Sequence, residues 1–154
     1  MTETNANTRR HARRIAMTAL FMREYNKISV DEAFAMLSAM RDDWAVIPDF
    51  ARQLGFLVQQ HELEIDGQIR DVLQNWVMSR VALVDKAILK LGCAEILYFS
   101  DIPPRVTINE YIEMAKTFGN ENSATFINGI LDKMMHLHKK ADFQAGKAQP
   151  RGTP

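Results

Sequence analysis

Four arginines stand close together near the start of the chain: Arg9, Arg10, Arg13 and Arg14. Arg10, Arg13 and Arg14 are spaced i, i+3, i+4, so on a helix their guanidinium groups project together from the first turns, with Arg9 one turn before Arg13. The helix dipole disfavours cations at this end by about 0.3–1 kcal/mol each at low salt. A bound polyanion would relieve that repulsion, so the cluster predicts a phosphate-binding site. A solvated helix start explains the same charges equally well.

The formal charge of the 154-residue chain is zero, but the charges are unevenly distributed. Residues 1–14 hold four Arg against one Glu, and residues 139–154 hold four basic residues against one Asp, which leaves 11 basic and 17 acidic residues between them. A basic arm on an acidic body is typical of a protein that binds a polyanion at one site and a different partner elsewhere.

Residue types that catalyse reactions or bind metals form no recognisable motif. The glycines stand singly, without the glycine-rich loop that binds nucleotide phosphates. His136 and His138 fall on different faces of a helix, and His11 and His61 lack a second ligand one turn away. Cys93 lies in the most apolar stretch, where an inert buried thiol is expected. The sequence therefore predicts no catalytic residue, no metal site and no cofactor.

The spacing of apolar residues predicts helices throughout the chain. From residue 8 to residue 24 they recur at i, i+3, i+4, i+7 and i+8, as on one face of a helix. Seven helices are predicted, at about 8–24, 31–41, 49–61, 68–76, 80–99, 108–118 and 124–138. We therefore expect an all-α bundle with two loosely defined halves that divide near residue 78, and the helix at 80–99 at its centre. Gly129, inside the last helix, costs about 1 kcal/mol relative to Ala and predicts close helix packing.

Turn and capping residues predict where these helices begin and end. Asp66-Gly67 interrupts the apolar spacing and predicts a break before the fourth helix. Ser79 and Thr107 are suited to cap helix N-termini, and Glu110, three residues after Thr107, completes a capping box. Gly119 predicts the end of the sixth helix.

The whole chain is expected to form one domain. Residues 9–140 hold the helices, residues 1–8 are predicted to be a flexible arm, and residues 141–154 have the composition of a disordered tail. A single cysteine cannot form an internal disulfide, the N-terminus lacks the features of a signal peptide, and no window of membrane-spanning length is free of charge. We therefore expect a cytoplasmic protein without membrane contact.

Short motifs in a fixed order give the chain a family likeness. They are Arg9-Arg10-His11-Ala12-Arg13, Ala19-Leu20-Phe21, Val84-Asp85-Lys86-Ala87-Ile88-Leu89, Asp101-Ile102-Pro103, Ile108-Asn109-Glu110, Ala115-Lys116-Thr117-Phe118-Gly119 and Phe126-Ile127-Asn128-Gly129-Ile130-Leu131-Asp132-Lys133. With these motifs the chain resembles the NusB transcription antitermination family over about residues 9–134. The likeness is strong in the second half and weak from about residue 25 to 75.

This resemblance implies an RNA-binding helical bundle that pairs with NusE, a small-subunit ribosomal protein. In that family the pair binds the boxA element of nascent RNA and joins the elongating RNA polymerase with other Nus factors, which favours processive transcription of ribosomal RNA operons. No enzyme activity is implied. The arginine-rich motif of the family carries over to Arg9, Arg10, Arg13 and Arg14, although Arg14 stands where an acidic or neutral residue is common.

The resemblance also suggests residues that read RNA bases. Lys116 ends the sixth helix, Asn122 or Ser123 starts the last one, and Phe126 lies in its first turn. A cation, backbone amides and an aromatic ring would then lie close together. Recognition of single-stranded RNA uses such groups, because its bases stack on aromatic rings and form hydrogen bonds. Alternatively, Phe126 is a core residue and Lys116 only complements the helix C-terminus.

Two further residues are candidates for contact with NusE. Asp85 matches an acidic position of the family, and Phe21 belongs to its Leu-aromatic pair. Asp85 could instead be an acid that the dipole of its helix favours, and Phe21 could be a core residue.

Two other functions remain as alternatives. One is a helical adaptor that binds only proteins, and the arginine cluster argues against it. The other is a fragment of a ribosomal RNA cytosine methyltransferase, which carries a NusB-like domain; the chain ends soon after the last helix, so this alternative requires truncation. The family includes monomers and dimers, and the sequence leaves a homodimer open.

Overall fold

The computed structural model describes the backbone of residues 2–74 and 77–148 and the side chains of residues 8–74 and 77–138. These residues form seven α-helices and no strand, which confirms the all-α class. The helices are α1 (Thr2–Asn26), α2 (Val30–Met40), α3 (Asp49–Gln60), α4 (Glu62–Val72), α5 (Leu83–Tyr98), α6 (Pro104–Phe118) and α7 (Ser123–Ala148). Two short 3-10 turns, Asp42–Trp44 and Met78–Arg80, precede α3 and α5.

The central helix is α5, as its apolar residues on more than one side predict. Eleven of its residues are buried, and it packs against α1, α3, α4, α6 and α7. Ile88 and Leu91 are fully buried, and burial of each such side chain contributes about 1.5–3 kcal/mol. Cys93 lies among them, and burial raises the pKa of its thiol to about 12. The predicted inert thiol is therefore confirmed.

The predicted break at Asp66-Gly67 is wrong, because α4 passes through both residues without interruption. Ile65 and Ile69 are fully buried on one face of this helix, and their burial outweighs the cost of one glycine, about 1 kcal/mol. Asp66 also forms an ion pair with Lys90 of α5 at 3.5 Å. The predicted end of this helix at about residue 76 is also wrong, because α4 ends at Val72.

Both predicted N-terminal caps are wrong. Ser79 lies in the 3-10 turn, and α5 begins at Leu83 without a side-chain cap. Thr107 lies inside α6, which begins at Pro104 because proline lacks an N–H and its fixed φ suits the first turn of a helix. The hydroxyl of Thr107 is buried and donates a hydrogen bond to Glu95 at 3.0 Å.

The predicted turn between the last two helices is confirmed. Gly119 ends α6, and its N–H donates to the carbonyl of Ala115 at 2.9 Å. A Cβ at Gly119 would lie 2.4 Å from Oγ of Ser123, so this tight turn requires glycine because of space. Ser123 begins α7, as expected.

The outer helices are longer than predicted. α1 begins at Thr2, so residues 2–8 of the expected flexible arm have helical backbone, and α7 continues to Ala148 through part of the expected tail. Residues 149–154 lie outside the described part of the chain. Within the described ranges no helix is both long and apolar enough to cross a membrane.

Two glycines inside helices have opposite surroundings. A Cβ at Gly55 of α3 would lie 2.9 Å from Cε2 of Phe34 and 3.0 Å from Cγ1 of Val30, so α2 and α3 are in close contact there. Apart from its two chain neighbours and the backbone of its own helix, no described atom lies within 4 Å of a Cβ built at Gly129, so the close helix packing predicted at that residue is wrong.

These surroundings predict opposite effects of the same substitution. Gly129→Ala should raise the free energy of unfolding by about 1 kcal/mol, because alanine is the better helix former. Gly55→Ala should lower it by about 1–3 kcal/mol, because the added methyl group overpacks the contact with Phe34. Urea denaturation measures both values. A shift of the same sign in both variants would contradict the packing around these two glycines.

Candidate nucleic-acid interface

Arg13 points into the protein, away from the other three arginines. Its side chain is 4% exposed and forms two parallel hydrogen bonds with Glu95, from Nε to Oε2 and from Nη2 to Oε1, each 2.8 Å long. The prediction that all the guanidinium groups project together is therefore wrong for Arg13. Local spacing places Arg13 beside Arg10 and Arg14, but its partner lies 82 residues along the chain.

The carboxylate of Glu95 is fully buried between α1, α5 and α6. Besides Arg13, it accepts hydrogen bonds from the hydroxyl groups of Thr107 and Tyr111. Burial is the main cause that raises the pKa of the Tyr111 hydroxyl well above its ordinary value, and the negative charge of Glu95 is the second cause. Tyr111 therefore remains a hydrogen-bond donor, and donors from two helices compensate the buried charge.

The other three arginines remain at the surface, and each has a partner. Arg10 forms a bidentate pair with Glu110 of α6, with both hydrogen bonds 3.0 Å long. Arg9 lies 3.8 Å from Asp101 and stacks over the ring of Phe50 at 4.8 Å. The guanidinium group of the exposed Arg14 lies 5.4 Å from the ring centroid of Phe118.

These arginines border two open grooves along α1. The first, of about 580 Å³, is lined by residues that include Arg9, Arg13, Phe50 and Asp101. The second, of about 400 Å³, lies between α1 and α6 and includes Arg10 and Arg14. We call these two grooves together the arginine grooves. Arginines and carboxylates alternate along these grooves, so an incoming anion could replace a carboxylate as the partner of an arginine.

A smaller pocket of about 210 Å³ lies where the start of α5 meets the α6–α7 loop, and we call it the loop pocket. It brings together three predicted residues, Asp85, Asn122 and Phe126, and adds Arg80 and Asn120. Asp85 is 6% exposed, and its Oδ1 has no hydrogen-bond partner in the described part of the chain. Because the charged side chain of Asp85 lines the pocket, the pocket suits a ligand that presents N–H groups.

Asparagine and serine side chains shape the rim of the loop pocket. Ser123 is buried, and its hydroxyl accepts a hydrogen bond from the N–H of Asn120 at 3.0 Å. The side-chain oxygen of Asn120 in turn accepts from the N–H of Asn122 at 2.8 Å. Ser123 thus supports the loop from inside. Sequence analysis missed Asn120 as a site residue. Its position in the loop, three residues before Ser123, could have indicated it.

Lys116 forms an ion pair within its own helix. It is exposed on α6, and its ammonium group lies 3.1 Å from Glu113, one helical turn away. Phe126 lines the loop pocket and Lys116 does not, so a joint contact of these two residues with RNA stays a prediction.

Phe21 lies on the opposite, C-terminal half of α1. Its half-buried ring stacks nearly parallel to Tyr25, with 6.0 Å between centroids and 8° between planes. Tyr25 is 70% exposed, so the pair presents an aromatic face to solvent. Sequence analysis missed Tyr25, although the i, i+4 spacing from Phe21 was the available signal.

The described residues define an all-α protein whose surface carries two grooves bordered by arginines and a small pocket lined by polar and apolar side chains. The chain belongs to the NusB family, whose model matches residues 10–136. This confirms the resemblance that the short motifs indicated.

Individual relatives agree with this assignment. The chain is 40% identical over 126 residues to the transcription antitermination protein NusB of Geobacillus kaustophilus, and the match covers 82% of this chain and 94% of the relative. The solved structure of T. maritima NusB has a TM-score of 0.76 and 32% identity, and covers 88% of this chain and 96% of its own.

A more distant structure shares the fold alone. It is a complex of the antitermination factors NusB and NusE with double-stranded RNA, with a TM-score of 0.73 and 22% identity, and covers 85% of this chain and 98% of its own.

The buried pair of Arg13 and Glu95 leads to a stability prediction. Glu95→Gln should lower the free energy of unfolding by about 3–5 kcal/mol, because it leaves the charge of Arg13 buried and uncompensated. The double variant Arg13→Met/Glu95→Gln should lose less, because both charges are removed. Urea denaturation of the three proteins measures the difference. A loss below about 1 kcal/mol for Glu95→Gln would contradict the geometry of the pair.

Proposed function

We propose that the chain is a non-catalytic, cytoplasmic transcription antitermination factor that binds boxA-type single-stranded RNA together with NusE. In this role it joins the elongating RNA polymerase with other Nus factors and supports processive transcription of ribosomal RNA operons. The observation that carries the RNA-binding part is the loop pocket, which Asp85, Asn122 and Phe126 line together.

The family assignment supports this proposal. Curated relatives at about 40% identity are transcription antitermination proteins, and the match covers nearly all of their length. The more distant protein of the same fold was solved with NusE and double-stranded RNA bound. The two ligand classes that we propose are therefore those of that complex, with single-stranded RNA in place of the duplex.

The loop pocket is suited to one nucleobase. Its volume of about 210 Å³ is below the range of about 300–1,000 Å³ that drug-sized ligands occupy, so it takes a single ring system or side chain. A base can donate an N–H to Asp85, hydrogen-bond with the amide of Asn122 and contact the ring of Phe126. Because Asp85 lines the loop pocket with Asn122 and Phe126, we assign it to base recognition instead of the surface contact with NusE that the family resemblance suggests.

The arginine grooves are suited to the phosphates of the same strand. Arg9, Arg10 and Arg14 are accessible, and an exposed ion pair such as that of Arg9 with Asp101 contributes only about 0–1 kcal/mol. An RNA phosphate can therefore replace Asp101 at little cost, and the released counterions make binding dependent on salt. Arg13 has a different part, since its pair with Glu95 fixes the position of α1 beneath the grooves.

The aromatic face of Phe21 and Tyr25 is suited to NusE. Aromatic side chains are enriched at the centres of protein interfaces, and this face lies at the other end of α1 from the arginines. RNA and NusE could therefore bind at the same time.

The second candidate function is a helical adaptor that binds proteins but little RNA. The carboxylates that already pair with Arg9 and Arg10 favour it, because they neutralise two of the surface cations.

The two functions differ in RNA binding by the whole chain. A labelled boxA-like strand and a scrambled strand, each with and without NusE at two salt concentrations, separate them. Preference for the boxA-like strand that increases with NusE supports antitermination, whereas weak binding indifferent to sequence and to NusE supports the adaptor.

Replacing two surface arginines should change the salt dependence of binding. In Arg10→Ala/Arg14→Ala, affinity should fall for both strands, and the slope of log K against log salt should decrease by about 0.7 for each phosphate that the variant no longer binds. Arg70→Ala, which removes an exposed arginine from α4, should leave the slope unchanged. Fluorescence anisotropy titrations measure these slopes, and equal slopes in all three proteins would show that the arginines do not bind phosphates.

Replacing the buried carboxylate should affect sequence preference more than total affinity. Asp85→Asn should reduce the preference for the boxA-like strand about tenfold, or about 1.4 kcal/mol, because the amide is a weaker acceptor without charge. Asp71→Asn makes the same change at an exposed position of α4 and should have no effect. The ratio of the two dissociation constants is the measured quantity. An unchanged ratio in Asp85→Asn would contradict base recognition by the loop pocket.

A further inference from the structure

The outer face of α2 exposes apolar side chains that the fold does not use. Met36 is 39% exposed, Met40 is 70% exposed, and Val46, just after the 3-10 turn, is 84% exposed. Ala35 and Ala39 are exposed beside the two methionines. We call the four exposed residues of α2, which are Ala35, Met36, Ala39 and Met40, the methionine patch. The opposite face of α2 provides its core contacts, with Phe34 and Leu37 buried.

Acidic residues border the methionine patch at both ends. Asp31 and Glu32 stand at the start of α2, and Asp42 and Asp43 follow its end. Residues 30–46 contain one basic residue, Arg41, against these four acids. That arginine already pairs with Asp43 at 2.8 Å and stacks over the ring of Trp44 at 4.0 Å. The patch is therefore an apolar strip between two negative ends.

We infer that the methionine patch is a docking surface for a basic amphipathic helix of a protein partner, separate from the RNA site. Methionine side chains are flexible and polarisable, so they adapt to the apolar face of a helix. From Glu32 to Asp42 the strip is about 15 Å long at 1.5 Å per residue, which is about three turns of a partner helix. Basic residues about ten positions apart on that helix would meet both acidic ends, and such pairing steers association.

The charges argue against two other occupants. RNA would bring phosphates close to four carboxylates, which repel it. A second copy of the chain that placed its methionine patch on this one would bring acidic ends together in either orientation, because both ends are acidic. Like charges face each other in such a contact, which disfavours it.

A synthetic peptide can test this surface on the full-length protein. The probe is a labelled amphipathic peptide of about 18 residues, or five turns, with leucines on one face and lysines at both ends. A second peptide keeps the leucines and replaces each lysine by glutamate. Fluorescence anisotropy measures affinity, and changes in amide chemical shifts locate the binding site. The basic peptide should bind, with shifts on α2 and the following turn, and the acidic peptide should bind at least tenfold more weakly.

A matched pair of variants makes the test specific. Met36→Gln/Met40→Gln removes the apolar strip while keeping good helix formers at exposed positions, so the fold should persist, as circular dichroism can verify. This variant should weaken binding of the basic peptide at least tenfold. Leu63→Gln changes an 87% exposed apolar residue of α4 in the same way and should have no effect.

Three results would overturn the inference. The first is equal weakening by Leu63→Gln and the double variant, and the second is peptide shifts located outside α2. The third is displacement of the peptide by boxA-like RNA, which would place the patch within the RNA-binding surface. Because peptide binding is measured without RNA or NusE, its failure is distinct from failure of the proposed antitermination function.

Discussion

The buried carboxylate of Glu95 is the constraint on which the arrangement of α1, α5 and α6 depends. A charge in the centre of the core is stable only if donors surround it, and these come from Arg13 of α1 and from Thr107 and Tyr111 of α6. Three helices distant in sequence must therefore meet at one point. That meeting point also sets where the outer face of α1 lies against α6, which is why Arg10 and Glu110 are within reach of each other.

The same arrangement provides ion-pair partners for surface arginines in the absence of RNA. In the free protein the charges of Arg9 and Arg10 are matched by carboxylates on the α5–α6 connection and on α6, so the grooves are not a bare cationic surface. Any polyanion must compete with these carboxylates, and the net gain from each bound phosphate is correspondingly small. Moderate binding by the arginines alone would leave discrimination to the loop pocket, which Asp85 lines. The proposal thus places general attraction and selectivity in different parts of the molecule.

The sequence predicted the parts of the fold that depend on local pattern. Helix number and the turn at Gly119 follow from apolar spacing and from residue types, and the structure confirms them. What it missed depends on distant partners. Gly67 does not break α4, because buried isoleucines and an ion pair to α5 stabilise the helix. Thr107 does not cap α6, because it lies inside that helix and its hydroxyl donates a hydrogen bond to Glu95. In the candidate site, motif order brought Asp85, Asn122 and Phe126 to attention, but only three-dimensional packing shows that they share a pocket and that Arg13 is buried.

The position of the single cysteine gives the protein an internal reporter. Cys93 lies in the central helix, fully buried, and with a pKa of about 12 its thiol is almost wholly protonated at neutral pH. A thiol reagent can modify it only in molecules whose core has opened, since the thiolate is the reactive form and needs access. The rate of alkylation therefore measures how often α5 is exposed, without any engineered label. Ligands that stabilise the packing of the helices around α5 would slow that reaction. Slower alkylation of this one sulfur atom would therefore show that a ligand is bound at a distant surface.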